Sequence, residues 1–456
     1  MELPFGVSAY ARTRGNISEL PVVNMMAEAS PVDGRVVLQS RTGLVLEVSA
    51  GSGPVTGLFR RDGILSGSLC AVSGGQLYIG ASLAGAITGN GPVSMAGDEE
   101  ELTVCAGGPV FQTTGGSVSP MAFPGGYFTG GAFIKTIDLA GYNIAIEKDS
   151  ARYWFRLWGS PWDDLGFITA ENEPDRLLDA VAVDDYLVLF GSETVEFHVK
   201  TGQLDAPFEP ITARVFEKGI RGVGCAANFD NTAAWVTSKR QGSLVCKAGN
   251  VPEVISDDGI SERIEGSESL SVDSFFYGRH EFLRILGDDF CILYDASTGE
   301  WSEWESYGRV RFRGQCSVAG PLFGDDETGA VWALGTGFTD NDGVLERRFR
   351  AGAVLDQPVG GNAVRLTANP GQTASLTGTY ADPVIEMRSS RDAGQTWGNW
   401  NATALGAQGQ YRQRIEWRRL GLFDDPGMLF EFRLTDPVPL AVRSVQFNPP
   451  KGGRSR

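Results

Sequence analysis

Residues 384–397 read Val-Ile-Glu-Met-Arg-Ser-Ser-Arg-Asp-Ala-Gly-Gln-Thr-Trp, an alternating run that leads directly into a tight turn. Apolar Ile385 and Met387 alternate with charged residues, which is the period-2 pattern of a strand with one buried face. In the turn, the Asp392 carboxylate can accept backbone N–H bonds, and Gly394 tolerates a positive φ. The stretch therefore predicts a strand that ends in a β-hairpin.

The turn fits the Asp-box spacing Ser-x-Asp-x-Gly-x-Thr-Trp, which occurs in hairpin turns of sialidases and other propellers. Its five positions in this chain are Ser390, Asp392, Gly394, Thr396 and Trp397. Local hydrogen bonding and a Trp ring packed over the hairpin explain the pattern. We interpret the box as a structural turn with no catalytic role of its own.

The rest of the chain repeats the same event: an alternating apolar run, a Gly or Asp turn, and a second run. Gly supplies 60 of 456 residues, about 13% against a usual share of roughly 7%, and no long run has helical spacing. Turn centres lie at Gly75, Gly108, Asp149, Ser192, Gln241, Asp288 and Asp326. They are roughly 33 to 49 residues apart, close to the period of propeller blades. The sequence predicts an all-β fold, an irregular β-propeller of about six or seven blades with a C-terminal β domain.

Composition and pattern divide the chain into segments. At 456 residues, it exceeds the size of about 250 to 300 residues at which single cores stop growing, so two packed units are expected. We predict an N-terminal arm at residues 1–20 and the propeller at residues 21–345. Residues 346–450 predict the C-terminal β domain with the Asp-box hairpin, and residues 451–456 a basic tail.

The formal charge of −17 argues against a protein that holds nucleic acid by its phosphates, because such binding needs clustered Lys and Arg. Acidic walls suit a passage through which DNA slides, since they repel phosphate. The six cysteines are far apart and predict buried free thiols. Residues 1–15 lack the apolar core of a signal peptide, and no apolar run reaches 18 residues, so we expect neither a signal peptide nor a membrane span. We therefore expect synthesis and assembly in the cytoplasm, without membrane insertion.

Few residues could carry catalysis. The two histidines are His198, predicted on the polar face of a strand, and His280, and no Gly-x-Ser-x-Gly elbow occurs. Asp-Asp pairs could ligate calcium or act as acid and base, but they fall at predicted turns, where Asp accepts backbone hydrogen bonds. Residues 222–227 match Gly-x-Gly-x-x-Ala, yet a strand-like run follows instead of a helix. We predict no catalytic residue, metal site or cofactor.

A basic run interleaved with aromatic residues stands out near the C-terminus. It contains Arg412, Arg414, Arg418 and Arg419, beside Tyr411 and Trp417. One interpretation is a stacking and phosphate-binding strip for nucleic acid. The other places alternate arginines on one strand face, where they pair with acidic neighbours in this or another subunit. We favour the second interpretation and predict a subunit interface at these four arginines.

Three stretches in the C-terminal region, in this order, carry a family resemblance. They are residues 406–411 (Gly-Ala-Gln-Gly-Gln-Tyr), 412–421 (Arg-Gln-Arg-Ile-Glu-Trp-Arg-Arg-Leu-Gly) and 430–439 (Phe-Glu-Phe-Arg-Leu-Thr-Asp-Pro-Val-Pro). Together with residues 24–43 and 185–207, they resemble the packaged-DNA stabilisation proteins, or tail nozzle proteins, of short-tailed bacteriophages. The resemblance extends from about residue 20 to about residue 448.

The resemblance implies a structural virion protein located in the tail. Such a subunit forms a nozzle ring, hexameric in that family, below the portal and adaptor. The ring closes the genome exit after packaging and forms part of the ejection conduit. The implied partners are further copies of the chain, the adaptor ring, tail fibre or spike proteins and plug proteins, with double-stranded DNA passing without tight binding.

The Asp box also supports an alternative, a sialidase-like glycoside hydrolase built on a propeller. Sialidases resemble one another in several Asp boxes, an early Phe-Arg-Ile-Pro stretch and an arginine triad that clamps a carboxylate. This chain has one good box, and its nearest early match, Phe-Arg-Arg-Asp at residues 59–62, departs from the pattern after two residues. We therefore rank the enzyme second.

Overall fold

The computed structural model describes residues 1–5, 21–29, 34, 36–98, 100–128, 131–170, 175–203, 206–318 and 320–448. Within these residues the fold is built almost entirely from strands, with one α-helix. The all-β prediction is confirmed. The strands form a seven-bladed propeller and a two-sheet sandwich that lies beside the sixth blade.

The chain begins with β1 (Glu2–Leu3), β2 (Val22–Val23), β3 (Met25–Ala29), β4 (Val36–Ser40) and β5 (Leu44–Ser49). Blade one contains β6 (Val55–Phe59), β7 (Cys70–Ser73), β8 (Gln76–Ile79) and β9 (Ser82–Ala86). Blade two contains β10 (Ser94–Asp98), β11 (Glu101–Cys105), β12 (Val110–Thr113) and β13 (Ser119–Pro120). Blade three contains β14 (Phe133–Leu139), β15 (Tyr142–Glu147), β16 (Arg152–Leu157) and β17 (Phe167–Thr169). Blade four contains β18 (Leu177–Val183), β19 (Tyr186–Gly191), β20 (Val195–Lys200) and β21 (Phe208–Phe216). Blade five contains β22 (Ala226–Phe229), β23 (Thr232–Val236), β24 (Val245–Lys247) and β25 (Glu253–Val254). Blade six contains β26 (Ser271–Tyr277), β27 (His280–Leu286), β28 (Cys291–Asp295) and β29 (Trp301–Glu303).

The remaining strands are β30 (Gly314–Val318), β31 (Leu322–Asp325), β32 (Ala330–Leu334), β33 (Thr339–Asp340), β34 (Gly343–Val344), β35 (Arg347–Val354), β36 (Val359–Ala368), β37 (Val384–Ser390), β38 (Asn401–Ala404), β39 (Ile415–Phe423), β40 (Gly427–Leu434) and β41 (Ala441–Phe447). Helix α1 (Asp258–Gly266) lies between blades five and six.

The seventh blade closes the ring with a strand from the start of the chain. β30, β31 and β32 supply three of its strands, and β5 pairs antiparallel with β32 as the fourth, with Leu44 opposite Leu334. Closure matters because an unpaired edge would expose backbone N–H and C=O groups. The side chain of Leu44 is fully buried in the cluster that includes Trp304, Phe323 and Trp332.

The sequence predicted about six or seven blades, and the described residues form seven. The predicted turn centres lie between the second and third strands of successive blades, once in each blade. They are Gly75, Gly108, Asp149, Ser192, Gln241, Asp288 and Asp326. The alternating pattern therefore located one hairpin of every blade, because each blade needs this tight reversal of the chain.

The sandwich is built from both ends of the chain. Its first sheet has the order β3-β4-β41-β36-β39, with β1 also on β41, and its second contains β2-β35-β40-β37-β38. The core between the sheets includes Phe349, Trp417, Phe430 and Phe432. The division of the chain at residues 345 and 346 stays a prediction, but pairing crosses it, since β2 and β4 pair with strands that follow it.

Parts of the predicted terminal segments are described. Residues 1–5 of the predicted arm are in place, and β1 pairs with β41 so that Leu3 lies opposite Val445. Residues 6–20 and the predicted basic tail at 451–456 lie outside the described residues. The helix α1 was not predicted: the Asp-Asp pair at 257–258 looked like a turn, whereas Asp257 is the N-cap and accepts the Ile260 N–H at 2.9 Å.

Replacing Leu44 tests the closing strand. Leu44→Ala should lower the free energy of unfolding by about 2 to 5 kcal/mol, because it leaves a cavity in a packed cluster. Leu46→Ala on the same strand is the matched control, since Leu46 is 50% exposed and exposed substitutions stay within about 0.5 kcal/mol. Urea unfolding followed by Trp fluorescence measures both. Equal effects would show that β5 does not close the blade.

Candidate functional site

His198 lies in the packed contact between two blades. His198 is buried rather than on a polar strand face, which corrects the sequence prediction, because both faces of a propeller blade pack against neighbouring blades. Its Nδ1 lies 2.9 Å from the Tyr153 hydroxyl of the adjacent blade. Burial raises the pKa of Tyr153 well above its ordinary value, and the charge of Glu196 raises it further. The group is thus a buried contact between blades three and four.

Five of the six cysteines are also buried, and Cys316 is half-buried. Burial raises the pKa of Cys70, Cys225, Cys291 and Cys316 to about 12 in each case. A thiolate is the nucleophilic form, so these groups are poor nucleophiles at neutral pH. In the described part of the chain, no group of three His, Cys, Asp or Glu side chains could hold a metal ion. Residues 222–227 lead into β22, not into a helix.

The Asp-box residues form the turn that joins β37 to β38. The Asp392 carboxylate accepts the Thr396 N–H at 2.9 Å and the Thr396 hydroxyl at 2.5 Å. Ser390 Oγ donates to Asp392 at 2.7 Å and accepts the Gly394 N–H at 2.8 Å. Gly394 has φ +92°, a conformation that glycine adopts readily. The Thr396 hydroxyl and N–H, with the Ser390 hydroxyl, lower the pKa of Asp392 to about 2.

This turn folds two indole rings over arginines on the outer face of the second sandwich sheet. Guanidinium groups of Arg350 and Arg388 each lie 4.9 Å from the centre of the Trp397 ring. Trp400 lies between Arg388 at 4.5 Å and Arg433 at 4.2 Å. Such cation–π contacts are worth about 0.5 to 1 kcal/mol each at exposed sites. The sequence predicted that Trp397 packs over the hairpin, but not that it stacks with arginines from other strands.

A buried carboxylate binds two of the arginines that stack with these Trp side chains. Glu431 is fully buried on β40 and is bound by Arg350 at 2.8 Å and by Arg388. Arg433 pairs with Glu386 at 2.7 Å on the neighbouring strand. These arginines thus have carboxylate partners within the sheet. Removing a partner of a buried ion pair is costly because a charge is left uncompensated.

The four arginines of the predicted interface lie near or on edge strand β39. Arg418 and Arg419 belong to β39, whereas Arg412 and Arg414 precede it in a turn and a loop, so the prediction of one strand face is wrong for them. Arg419 has φ +61°, which breaks the alternation. All four are exposed, and Arg418 Nε contacts Glu416 at 2.6 Å. That they form a subunit interface stays a prediction.

A polar cluster joins the sandwich to the propeller, and sequence reasoning missed it. The buried Arg41 donates to Asn24 at 2.8 Å and to both Asp340 oxygens at 2.9 and 3.0 Å. Asn24 donates to the backbone oxygens of Glu305 and Glu346 at 3.0 and 2.7 Å. Asn24 lies where the chain passes from β2 in one sheet to β3 in the other. The signal was present, since residues 24–43 carry part of the family resemblance.

His280 joins the same two units. Its Nε2 lies 3.0 Å from Glu28 of sandwich strand β3, and its Nδ1 lies 2.7 Å from Asp295 of the sixth blade. Burial is the largest single influence and lowers the His280 pKa. The hydrogen bonds and charges of Glu28 and Asp295 together outweigh it, so the pKa is raised overall. The imidazolium form therefore bridges two carboxylates, one from each unit.

Two adjoining cavities of about 200 and 390 Å³ lie along the innermost strands of the propeller, and Lys135 and Ala226 belong to the linings of both. The lining of the smaller cavity includes Lys135, which binds Asp179 at 2.7 Å, and Asp273, which binds Arg284 and accepts a hydrogen bond from Ser317. Among the described residues, no helix has the length and apolar character to span a membrane.

Family models match both units of this fold. Residues 1–307 match the model described as bacteriophage P22 Gp10, beta-propeller, and residues 352–448 match the model described as bacteriophage P22 Gp10, beta-sandwich. The chain therefore belongs to the bacteriophage P22 Gp10 family. The predicted resemblance to a phage tail-protein family is confirmed.

A curated relative in this family is the tail hub protein gp10 of Salmonella phage P22. It is 25% identical over 261 residues, which cover 50% of this chain and 52% of the relative, so the match spans about half the length of each. Solved structures with similar folds include the WD40 propeller domain of Doa1 (TM-score 0.41, 13% identity, 65% of this chain and 98% of that chain). Another is BBS1N in complex with ARL6DN (TM-score 0.42, 9% identity, 65% and 98%). Scores this low add nothing to the family match.

The His280 contact predicts a pH dependence of stability. Its folded pKa is raised, so its contribution is fully present below the ordinary histidine pKa of about 6.5 and is lost as pH rises through the folded pKa. The free energy of unfolding should therefore fall above about pH 6.5 in the wild type and less so in His280→Gln. Glu28→Gln should lower the His280 pKa, measured by NMR titration. Identical pH profiles for wild type and His280→Gln would contradict this assignment.

Removing the Asp-box carboxylate should loosen its hairpin without unfolding the sandwich. In Asp392→Ala, amides of residues 391–400 should exchange at least about tenfold faster in hydrogen exchange, because the Thr396 N–H loses its acceptor. Asp382→Ala is the control, since Asp382 is an exposed carboxylate just before β37. If the Thr396 amide is protected from exchange equally well in Asp392→Ala and in the wild type, the structural role assigned to the Asp box is wrong.

Proposed function

We propose that the chain is a structural subunit of a bacteriophage tail hub, assembled as a ring below the portal and adaptor. The ring closes the genome exit after packaging and forms part of the conduit for DNA ejection. The observation that carries this proposal is the family match, which covers both the propeller and the sandwich. The similarity to the tail hub protein of Salmonella phage P22 supports the location in the virion tail.

The mechanics of the fold suit a load-bearing ring. β2 pairs with β29 of the sixth blade on one edge and with β35 of the sandwich on the other, so one nine-stranded sheet runs through both units. Arg348 adds an ion pair to Glu305 at 3.0 Å at this junction. A hinge between the units would have to break these contacts together. We infer that each subunit acts as one rigid body.

DNA cannot pass through the centre of one propeller. The two cavities there measure about 200 and 390 Å³, whereas the major groove of B-DNA alone is about 12 Å wide. A conduit must therefore be enclosed by several subunits. The overall charge of −17 would then keep phosphate from adhering to its wall. By family resemblance we propose six subunits, assembled in the host cytoplasm, with the adaptor ring, fibre or spike proteins and plug proteins as partners.

A glycoside hydrolase remains the second candidate, and no observation on the site residues favours it. Asp392 is fully engaged by Thr396 and Ser390 inside its turn, where it serves the backbone. Arg61, from the early stretch that partly resembles sialidases, pairs with Asp138 at 2.7 Å. We therefore propose that the chain is not an enzyme and needs no cofactor.

Purified full-length protein tests the proposal. Electron microscopy of the protein alone and mixed with an adaptor ring should show closed rings, and duplex DNA should be retained only weakly at physiological salt in a gel shift. A particle that stays monomeric with and without the adaptor would overturn the tail-hub ring. Retention of duplex DNA at about micromolar concentration would overturn the non-adhesive conduit.

A further inference from the structure

A recess of about 570 Å³ lies between the ends of blades two and three and shares no lining residue with the two central cavities. It forms where the turn from β10 to β11 and the turn from β12 to β13 reach the same end of blade two, beside the turn that follows β16 in blade three. Its volume lies within the range of about 300 to 1,000 Å³ that is typical of ligand pockets. Among the described residues, every side chain that lines it is polar or charged, apart from Trp158 and Gly159.

The Glu101 carboxylate is held in one position on the wall of this recess. Glu101 is 8% exposed, and its Oε1 accepts a hydrogen bond from Arg156 at 2.7 Å. Arg156 is buried as well, and it also donates to Asn143 at 3.3 Å and to the Ser160 backbone oxygen at 2.7 Å. The other carboxylate oxygen, Oε2, has no hydrogen-bond partner in the part of the chain that the structure describes. It can therefore accept a hydrogen bond from a ligand without first being ordered.

Trp158 supplies an aromatic wall that is fixed by the same arginine. Its indole Nε1 donates to Asp138 at 2.9 Å, and the guanidinium carbon of Arg156 lies 5.4 Å from the centre of its ring. The side chain is half-buried, so part of the indole remains open to the recess. Because one buried guanidinium contacts both Glu101 and Trp158, the carboxylate and the ring keep a constant relative position.

The blade-two side of the recess carries polar side chains that are not used by the fold. Gln112 lies on β12 and Ser119 on β13, and Thr114 and Ser117 lie in the turn between them. None of these four side chains has a hydrogen-bond partner among the residues that the structure describes. Amide and hydroxyl groups both donate and accept hydrogen bonds. They therefore match a ligand whose own groups do both.

A neutral sugar has the chemistry that this recess can recognise. The C–H groups on one face of a pyranose ring pack against an indole, which is the apolar contact that Trp158 offers. The ring hydroxyls can donate to Glu101 and can exchange hydrogen bonds with the Gln112 amide. A fixed aromatic wall with a few convergent polar groups is the usual composition of a small-molecule site.

Other ligand classes fit the recess less well. Three carboxylates line it, those of Asp98, Glu100 and Glu101, and they repel an anion because Arg156 is already bound within the fold. A basic side chain of a protein partner only donates hydrogen bonds, so it would leave the N–H groups of the Gln112 amide without an acceptor. Within the described residues, no three His, Cys, Asp or Glu side chains could hold a metal ion.

We propose that this recess binds a neutral saccharide, with a sugar ring stacked on Trp158 and a hydroxyl that donates to Oε2 of Glu101. The proposal concerns binding, and no covalent bond forms or breaks. It goes beyond the proposed function, because closing the genome exit needs no sugar site. A single subunit contains the whole recess, so binding is expected with or without a ring.

NMR of the full chain with ¹⁵N-labelled tryptophan tests binding directly. The chain has 10 tryptophans, and the signal of the Trp158 indole N–H is assigned from its loss in Trp158→Phe. The probes are neutral oligosaccharides of glucose, galactose, mannose and N-acetylglucosamine. At least one should shift the Trp158 signal and half-saturate at about 1 mM or below. The signals of Trp397 and Trp400, which lie on the sandwich, should not move.

Two variants locate the site. Trp158→Ala and Gln112→Ala should each weaken binding of the same oligosaccharide by about tenfold or more in isothermal titration calorimetry, because each removes a direct contact. Trp400→Ala is the control for the indole, since Trp400 is also half-buried against arginines. Gln446→Ala is the control for the amide, since Gln446 is a half-buried residue of β41. Thermal unfolding checks each fold, and Gln112→Ala removes no hydrogen bond of the fold.

Three outcomes would overturn the proposal. The first is that none of the neutral oligosaccharides shifts the Trp158 signal at concentrations up to about 10 mM. The second is that Gln112→Ala and Trp158→Ala bind as tightly as the wild type, which would place the sugar elsewhere. The third is that hexalysine or a sialylated oligosaccharide shifts the Trp158 signal at lower concentration than every neutral oligosaccharide, which would assign the recess to a basic protein segment or to an anion. None of these outcomes bears on the tail-hub ring.

Discussion

Closure of the propeller by β5 is the constraint on which the rest of the structure depends. The last blade contributes β30 to β32, and its fourth strand must come from elsewhere or leave an edge unpaired. Because β5 supplies it, the chain enters and leaves the ring at neighbouring positions. The segments before β5 and after β32 therefore meet outside the ring, where β2 and β4 pair with strands of the C-terminal region. The sandwich is the consequence of bringing both chain ends to one place.

Stacking of the blades decides where polar groups are placed. Each blade packs against two neighbours, so polar side chains between blades must find partners there. Thr103 and Thr136 of blades two and three share a hydrogen bond at 2.9 Å, and Asn143 donates to both. Arg156 reaches across to Glu101 at 2.7 Å. Satisfied networks of this kind favour one packing of the blades, because any other leaves a buried group unpaired.

The local sequence pattern was sufficient to predict hairpins, but it could not predict which distant parts of the chain pair with each other. The turn centres at Gly75 and Asp326 could be found because a tight turn between alternating runs is encoded in a few consecutive residues. The pairing of Leu38 with Val442 could not, since nothing near either residue specifies a partner about 400 positions away. His198 was misplaced for a related reason. Alternation indicates two strand faces but not whether a second blade covers the polar one.

In the candidate site, too, contacts within one turn could be predicted from the sequence, whereas contacts between distant residues could not. The Asp box could be predicted because Ser390, Asp392, Gly394 and Thr396 hydrogen-bond to one another within a single turn. By contrast, Arg41, Asn24 and Asp340 act together only after the ring has closed. Their cluster lies where β2 leaves one sandwich sheet, so it fixes the segment that also extends the sixth blade. Breaking a buried pair of this kind costs about 3 to 5 kcal/mol, comparable to the loss of several ordinary hydrogen bonds at about 1 kcal/mol each. The junction between the sandwich and the propeller is thus held by charge burial as well as by strand pairing.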